Sequence, residues 1–206
     1  MNSYDLIIVG AGIAGKATAL RLAQLGLKIL HVAPNFDPGI HCNDDLTWDS
    51  RIYALSGSSQ QLLSDIHVWE SLDPRRMQVV SDMRIFGDSG QANDELHFSA
   101  YSATVNQLAW IIESSHIEKT LDTACKFQGN IKRLTDTVAS FISGNDSVTV
   151  TTQSGDTYSA KLLLAADGAK SSIREKLQIE TPINDYEQTA VVANFSCELD
   201  HQDTAC

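Results

Sequence analysis

Apolar and polar positions follow two rhythms along this chain, and the change between them marks its elements. Residues 4–9 (Tyr-Asp-Leu-Ile-Ile-Val) form a short, nearly continuous apolar run that stops at Gly10. A run of this length bounded by glycine predicts a strand buried on both faces, as in a parallel sheet. From Ile13 the spacing turns helical, with Ile13, Ala17, Leu20, Leu22 and Leu25 and alanine at 14, 17, 19 and 23. This predicts a helix over 13–25, closed by Gly26 as a C′ glycine. Residues 27–33 return to a strand pattern, and Pro34 and Pro38 punctuate a loop. Residues 4–33 therefore read as a β-α-β unit. Residues 34–50 read as an irregular loop and 56–72 as a helix. Residues 78–87 and 95–101 read as strands around the turn Gly87-Asp88-Ser89-Gly90, and 113–126 as a helix. From 127 to 165 the pattern becomes a meander. Strands near 137–143, 147–153 and 157–165 are separated by the hairpin turns Gly144-Asn145-Asp146 and Ser154-Gly155-Asp156. A helix is expected at about 170–177, and 186–199 reads as one long strand opening a new sheet. There is no internal repeat and no low-complexity stretch. The fold class is thus α/β, Rossmann-like, with a β-meander crossover and the start of a second sheet.

Composition narrows this picture. The 206 residues are 43% hydrophobic and 20% charged, which suits a folded globular chain with a real core. The formal net charge of −11 argues against nucleic acid as a partner, because neutralising phosphates needs clustered Lys and Arg. Apolar runs such as Leu6–Val9 and Leu162–Ala166 fall far short of the ~20 residues of a membrane span. The amino terminus lacks the basic residues of a signal peptide. Cys42, Cys125, Cys197 and Cys206 stand far apart, with no CxxC and no Cys/His zinc spacing, so reduced cytosolic thiols are expected and no metal site.

Three short segments carry candidate chemistry. The first is Gly10-Ala11-Gly12-Ile13-Ala14-Gly15, a GxGxxG between a strand and a helix. In a dinucleotide fold the first glycine makes the turn, the second lets backbone approach a pyrophosphate, and the third lets helix pack on sheet. The helix amino terminus then offers N–H groups and its positive dipole end to phosphate. An acid that holds ribose hydroxyls is expected about 20 residues on. Ala33 occupies that place, with Pro34 after it, so Asn35 or Asp37 of the loop, main chain, or a group elsewhere would have to serve. The second segment is Ala166-Asp167-Gly168-Ala169-Lys170-Ser171-Ser172-Ile173-Arg174. Asp167 and Ser171 read either as local caps of a helix or as ligand groups at the carboxyl end of a strand. The third is Asp49-Ser50-Arg51-Ile52-Tyr53-Ala54-Leu55-Ser56, where Arg51 is either an ion-pair partner of Asp49 or a phosphate clamp.

The order and spacing of these segments resemble the class A flavin monooxygenases, with their p-hydroxybenzoate-hydroxylase-like fold. More narrowly, the chain looks like the ubiquinone-biosynthesis hydroxylases of the UbiH/UbiF/VisC type. The resemblance runs from residue 4 to about 199. It takes in Arg51 to Trp69, the stretch Leu108-Ala109-Trp110-Ile111-Ile112-Glu113, and Asp167-Gly168-x-x-Ser171-x-x-Arg174, which is similar to the family's second flavin motif. The resemblance implies FAD as cofactor, with Gly10, Gly12 and Gly15, and Ile13 and Ala14 between them, at its pyrophosphate. It also implies Arg51 beside the flavin and its phosphates, and Asp167 and Gly168 in contact with the cofactor. Arg174 would support that loop, and Glu113 would border the flavin. His116 and Glu118 stand where apolar or amide residues are expected.

The same resemblance implies a reaction. NAD(P)H reduces the flavin, O₂ reacts with it, and one oxygen passes to an electron-rich ring, so no catalytic side chain is expected. The implied substrate is a polyprenylated phenol. With it come peripheral contact with the inner face of a membrane and membership of a ubiquinone-synthesis complex, from a cytoplasmic location. The expected domains are an FAD-binding domain over 1–180, with the β-α-β at 4–33, the flavin-loop region at 34–56, the meander at 127–165 and the second motif at 166–174. Residues 181–206 would begin the substrate-binding sheet. The family's third motif, Gly-Asp-Ala-Ala-His, has no counterpart, which suggests an inactive, truncated portion. Other readings are a reductase or halogenase of the same fold, or a non-enzymatic flavoprotein-like assembly partner. The halogenase pattern Trp-x-Trp-x-Ile is absent, with Trp48, Trp69 and Trp110 scattered.

Overall fold

The structure is a computed structural model that describes residues 3–37, 48–87 and 94–205. The chain opens with β1 (Ser3–Val9), α1 (Ile13–Gln24) and β2 (Ile29–Ala33), the β-α-β unit. Next come β3 (Ile52–Leu55), α2 (Gly57–Asp65), β4 (Met77–Val80), β5 (Asp82–Phe86) and β6 (Glu95–Ser99). They are followed by α3 (Ala100–Ala103), β7 (Ala109–Glu113) and α4 (Ser114–Phe127). The rest is β8 (Ile131–Thr135), β9 (Val138–Ser143), β10 (Val148–Thr152), β11 (Thr157–Ala165), α5 (Ser172–Lys176) and β12 (Thr204–Ala205). The chain divides into two compact units, Met1–Ile40 with Glu118–Thr189, and His41–Ile117 with Ala190–Cys206.

The first unit holds a six-stranded sheet in the order β8-β2-β1-β11-β10-β9. Strands β8, β2, β1 and β11 are parallel, and β10 and β9 extend them antiparallel. Ile7 and Ile8 of β1 and Ile29, Leu30 and Val32 of β2 are fully buried, as the continuous apolar runs require. Tyr4, Ile7, Val9, Leu30 and Val32 share a core with Val138, Val148, Val150, Tyr158 and Ala160 of the meander and Ile173 of α5. Helix α1 ends in a Schellman motif: Gly26 N–H donates to the Ala23 carbonyl at 2.9 Å and Leu27 N–H to the Leu22 carbonyl at 3.2 Å. Gly26 takes φ +88°, a conformation that excludes most side chains, so the glycine stop is a backbone requirement. The one surprise on α1 is Lys16. It is 1% exposed, donates from Nζ to the Phe36 carbonyl at 3.0 Å and lies 3.6 Å from Asp122.

The second unit carries two three-stranded sheets, β3-β7-β4 and β12-β5-β6. The helix expected over 56–72 is shorter. Helix α2 stops at Asp65, His67 turns to φ +59°, and a single 3-10 turn follows at Trp69–Ser71. Residues 78–87 are two strands, because the chain changes sheet at Ser81. Strands β3, β7 and β8 had no distinct signal in the periodicity. The expected long strand over 186–199 is not present. Its residues form no regular structure, and Tyr186, Val191 and Phe195 are 82%, 91% and 83% exposed. Alternating apolar positions make a strand only where a neighbour takes up the backbone N–H and C=O groups, and among the described residues no strand pairs with this segment. The turn residues Asp88, Ser89 and Gly90, and the loop residues 38–47, lie outside the described residues.

Candidate functional site

In the first unit the carboxyl ends of the parallel strands stand side by side, with Val9 paired to Val32 and Ala165, and Ala33 to Thr135. Open α/β sheets bind ligands at this edge. Here it forms a cleft of about 530 Å³ lined by four short segments. They are the glycine turn Gly10-Ala11-Gly12, the Pro34–Asp37 loop, Asp136-Thr137-Val138 beyond β8, and Ala166-Asp167-Gly168 with Lys170 and Ser172. Glu118 of α4 also lines it.

The three glycines differ in what they avoid. A Cβ at Gly10, which has φ +110°, would overlap the Ala166 carbonyl oxygen, and one at Gly15 would overlap the Gly10 carbonyl oxygen. These two residues are glycine because the chain itself leaves no room. Gly12 is different. It has φ −72° and ψ 179°, open to any residue, and a Cβ there would meet nothing within 4 Å. The chain's own packing gives no reason for glycine at 12; a group seated in that space does. Gly12 is also the N-cap of α1, with no side-chain cap and no acid in the first turn, so the helix terminus keeps its positive end for a bound anion. A cofactor pyrophosphate fits this cradle. Ile13 and Ala14 begin α1 there.

Asp167 lies in the cleft wall and is held from its own side. Its Oδ2 accepts from Ser172 N–H at 2.7 Å and Ile173 N–H at 3.3 Å, and its Oδ1 accepts from Ser171 Oγ at 2.5 Å. Burial opposes ionisation, but the bonds from Ser171, Ile173 and Ser172 outweigh it and hold the carboxyl below its ordinary value. Ser171 caps α5 by accepting from Arg174 N–H at 3.1 Å, and Arg174 Nη2 donates to the Ala169 carbonyl at 2.6 Å. The capping arrangement and the place in the cleft wall coexist: Asp167 braces the turn that presents Gly168.

On the ribose side, β2 ends at Ala33 without an acid. Asn35 Oδ1 accepts from Asp37 N–H at 2.9 Å, which closes the loop locally. Besides Asp167, three carboxylate residues line the cleft, Asp37, Glu118 and Asp136, the last accepting from Thr137 N–H at 2.7 Å and Ser154 N–H at 3.3 Å. Glu118 and Asp136-Thr137 carry no motif, and the parallel strand β8 that brings the latter to the edge is what the meander pattern concealed.

Arg51 and Glu113 belong to the second unit. Arg51 is exposed, and it meets Asp49 through its backbone N–H, 2.9 Å from Oδ1, rather than as an ion pair. Glu113, 3% exposed, has both oxygens engaged, accepting from Asp49 N–H and from Arg76 Nη1, each at 2.5 Å. Asp49 in turn accepts from Ser115 N–H at 3.0 Å, so the group pins the chain ahead of β3 to the end of β7. No group of His, Cys, Asp and Glu among the described residues could hold a metal ion. Cys125 (buried) and Cys197 (exposed) are free thiols, while Cys42 and Cys206 lie outside the described residues. No helix among the described residues is long and apolar enough to cross a membrane.

Comparison with known proteins agrees with this geometry. The family model described as an FAD binding domain matches residues 3–205. Ubiquinone hydroxylase UbiM of Neisseria meningitidis is 27% identical over 206 residues, covering 98% of this chain and 44% of its own. The 3-demethoxyubiquinol 3-hydroxylase of Escherichia coli is 25% identical over 201 residues, covering 97% and 50%. The chain thus spans about half the length of these relatives. Among solved structures, PqsL of Pseudomonas aeruginosa, a probable FAD-dependent monooxygenase, superposes with a TM-score of 0.70 at 16% identity, over 90% of this chain and 48% of that one. The p-nitrophenol 4-monooxygenase PnpA of Pseudomonas putida gives 0.68 at 18% identity, over 86% and 44%. These two likenesses speak for the fold. The family match over nearly the whole chain and a glycine that the chain's own packing does not require point the same way, and the chain belongs to the FAD binding domain family.

Proposed function

We propose that the full-length protein is an FAD-dependent aromatic-ring hydroxylase that uses NAD(P)H and O₂ on a polyprenylated phenol, a precursor of ubiquinone. The observation that carries this reading is similarity along 97–98% of the chain to two ubiquinone hydroxylases. The cleft supports it. In this reading Gly10, Gly12 and Gly15, with the first N–H groups of α1, hold the pyrophosphate. Asp167 keeps the Ala166–Gly168 turn in shape against the cofactor. Asp37 and Glu118, which line the cleft, would accept ribose hydroxyls in place of an acid at Ala33. Arg51 and Glu113 act in this proposal as Asp49-linked elements of the flavin-loop region, Arg51 free to meet a cofactor phosphate and Glu113 holding the loop.

When bound, the flavin supplies the redox chemistry, carrying electrons from the nicotinamide to O₂. The chain's own task is to bind the cofactor, orient it and keep water away. A polyprenyl substrate further implies that the protein works against a membrane surface. The test is to purify the full-length protein, read its flavin spectrum and measure NADPH oxidation with and without a prenylated phenol. A deletion strain should accumulate the unhydroxylated quinone precursor. A colourless protein with no NADPH oxidation and no accumulated precursor would overturn the enzymatic reading in favour of a flavoprotein-like assembly partner.

A further inference from the structure

Beneath the glycine turn lies a side chain that no motif singles out. His31, in the middle of β2, is 0% exposed, and its Nε2 lies 2.8 Å from the Gly10 carbonyl oxygen. We propose that His31 is a positioning residue for the cofactor: donating from Nε2 to the Gly10 carbonyl, it fixes the Gly10–Ala11 peptide so that the Ala11 N–H is presented to an FAD phosphate. This rests on the reading of the glycine cleft as the pyrophosphate site.

The geometry argues it in three steps. A carbonyl oxygen only accepts, so the ring must carry its proton on Nε2, and Nδ1 is left without a hydrogen-bond partner among the described residues. In a trans planar peptide the N–H points opposite to the C=O. Holding the Gly10 carbonyl from the buried side therefore turns the Ala11 N–H toward the side on which Ala11 and Gly12 line the cleft. Val32, the next residue but one before the loop, accepts from Gly10 N–H at 2.8 Å, so adjacent residues of β2 grip Gly10 through both of its polar groups.

The ring also braces the opposite wall. It packs edge-on against Phe36, centroids 4.9 Å apart, and the Arg133 guanidinium covers the Phe36 ring at 4.3 Å. The groups that bear on its charge are Lys16 of α1, Asp122 of α4 and Arg133 of β8. Burial, opposed by the Gly10 bond, and the nearby Arg133 and Lys16 cations favour the neutral ring. A neutral ring with one donor is what a carbonyl held in a dry site requires.

The test compares His31→Leu, which removes the donor, with His31→Gln, whose amide can reach the same carbonyl. Both are made in the full-length protein. FAD and ADP affinities are measured by fluorescence quenching and calorimetry, alongside thermal stability. His31→Leu should weaken FAD and ADP about tenfold, and His31→Gln should recover affinity to within about twofold. Long-range imidazole ¹H–¹⁵N spectra of the unsubstituted protein near pH 7 should show His31 neutral and protonated on Nε2, a readout independent of whether the variants fold. Unchanged affinity in His31→Leu, equal losses in both variants, or a ring protonated on Nδ1 would each overturn the proposal. Gly12→Ala separates the two readings. If it leaves FAD and ADP affinity intact, the cleft assignment fails; if it weakens both while His31→Leu does not, only the role of His31 falls.

Discussion

The contrast between Gly15 and Gly12 makes a sharp prediction, because the same substitution should do opposite things three residues apart. In Gly15→Ala the new methyl overlaps the Gly10 carbonyl oxygen, sits 3.0 Å from the Gly10 carbonyl carbon, and meets Ala166 Cβ at 3.5 Å. The first two are backbone atoms of the buried turn, so the helix or the turn must shift. Overpacking of this kind costs about 1–3 kcal/mol. In Gly12→Ala the methyl meets nothing within 4 Å, and φ −72° suits alanine. The apoprotein should change by no more than about 0.5 kcal/mol, since the lost N-cap preference and the gain from a stiffer unfolded chain nearly offset. Ligand binding should reverse the order. At Gly12 the methyl occupies the space assigned to the pyrophosphate, and losing one charge-assisted hydrogen bond costs about 1.5–3 kcal/mol, roughly 10- to 150-fold in affinity. Denaturant melts of both apoproteins and FAD titrations followed by fluorescence quenching read the two quantities separately. Equal destabilisation by both variants, or an unchanged FAD affinity in Gly12→Ala, would refute the reasoning.

Other consequences can be checked directly. Asp167→Asn should cost about 1 kcal/mol at pH 7, because the carboxylate that accepts from Ser171 Oγ and from the Ser172 and Ile173 N–H groups becomes a neutral amide. Because the Asp167 carboxyl is held below its ordinary value of 3.8, its contribution is full above that pH and disappears as pH falls through the lowered value, so melts at pH 3 should show wild type and variant converging. A gap that stays constant from pH 7 to 3 would contradict this. Cys125, whose thiol burial pushes up to about 11, should resist iodoacetamide at pH 8 while exposed Cys197 is labelled, as read by peptide mass mapping. Asp37→Ala and Glu118→Ala in the full-length protein should each weaken FAD about tenfold if they accept ribose hydroxyls. Unchanged affinity in both would remove them from the ribose site.

What the sequence disclosed and what it hid divide along physical lines. The β-α-β unit was legible because Leu6–Val9 of β1 and Ile29, Leu30, Val32 and Ala33 of β2 are apolar and buried, and because Gly10, Gly15 and Gly26 answer local backbone demands. The turn at Asp167 was legible as a cap for the same local reason. Strand β8 was not, because Lys132 and Arg133 interrupt its apolar positions and its pairing with β2 is decided by tertiary contact. The same holds for β3, whose residues are exposed or half-buried, and for β7, whose buried and half-buried positions do not alternate. Residues 186–199 show the reverse failure, alternation without a partner strand. Lys16 and His31 escaped notice because composition codes both as surface residues. Only the placement of Asp122 and of the Gly10 carbonyl explains their burial. The third wall of the cleft leaves no local trace: Asp136 follows from the pairing of β8 with β2, and Glu118 from the placing of helix α4.

Strand β1 acquires its two neighbours at very different times. Strand β2 follows after one helix, but β11 pairs from Ser3↔Ser159 onward. About 130 residues separate β2 from β11, which at the ~5–20 residues per second of synthesis is roughly 6–26 s. Through that interval one edge of β1, with its apolar run Leu6–Val9, has no partner, a template for pairing with another chain. The glycine turn at its end is equally unfinished, because the Ala166 N–H that bonds the Val9 carbonyl at 2.7 Å has not yet been made. The cleft is therefore complete only after residue 173 has left the ribosome. Before that the nascent chain needs shelter from its neighbours, and no flavin can provide it.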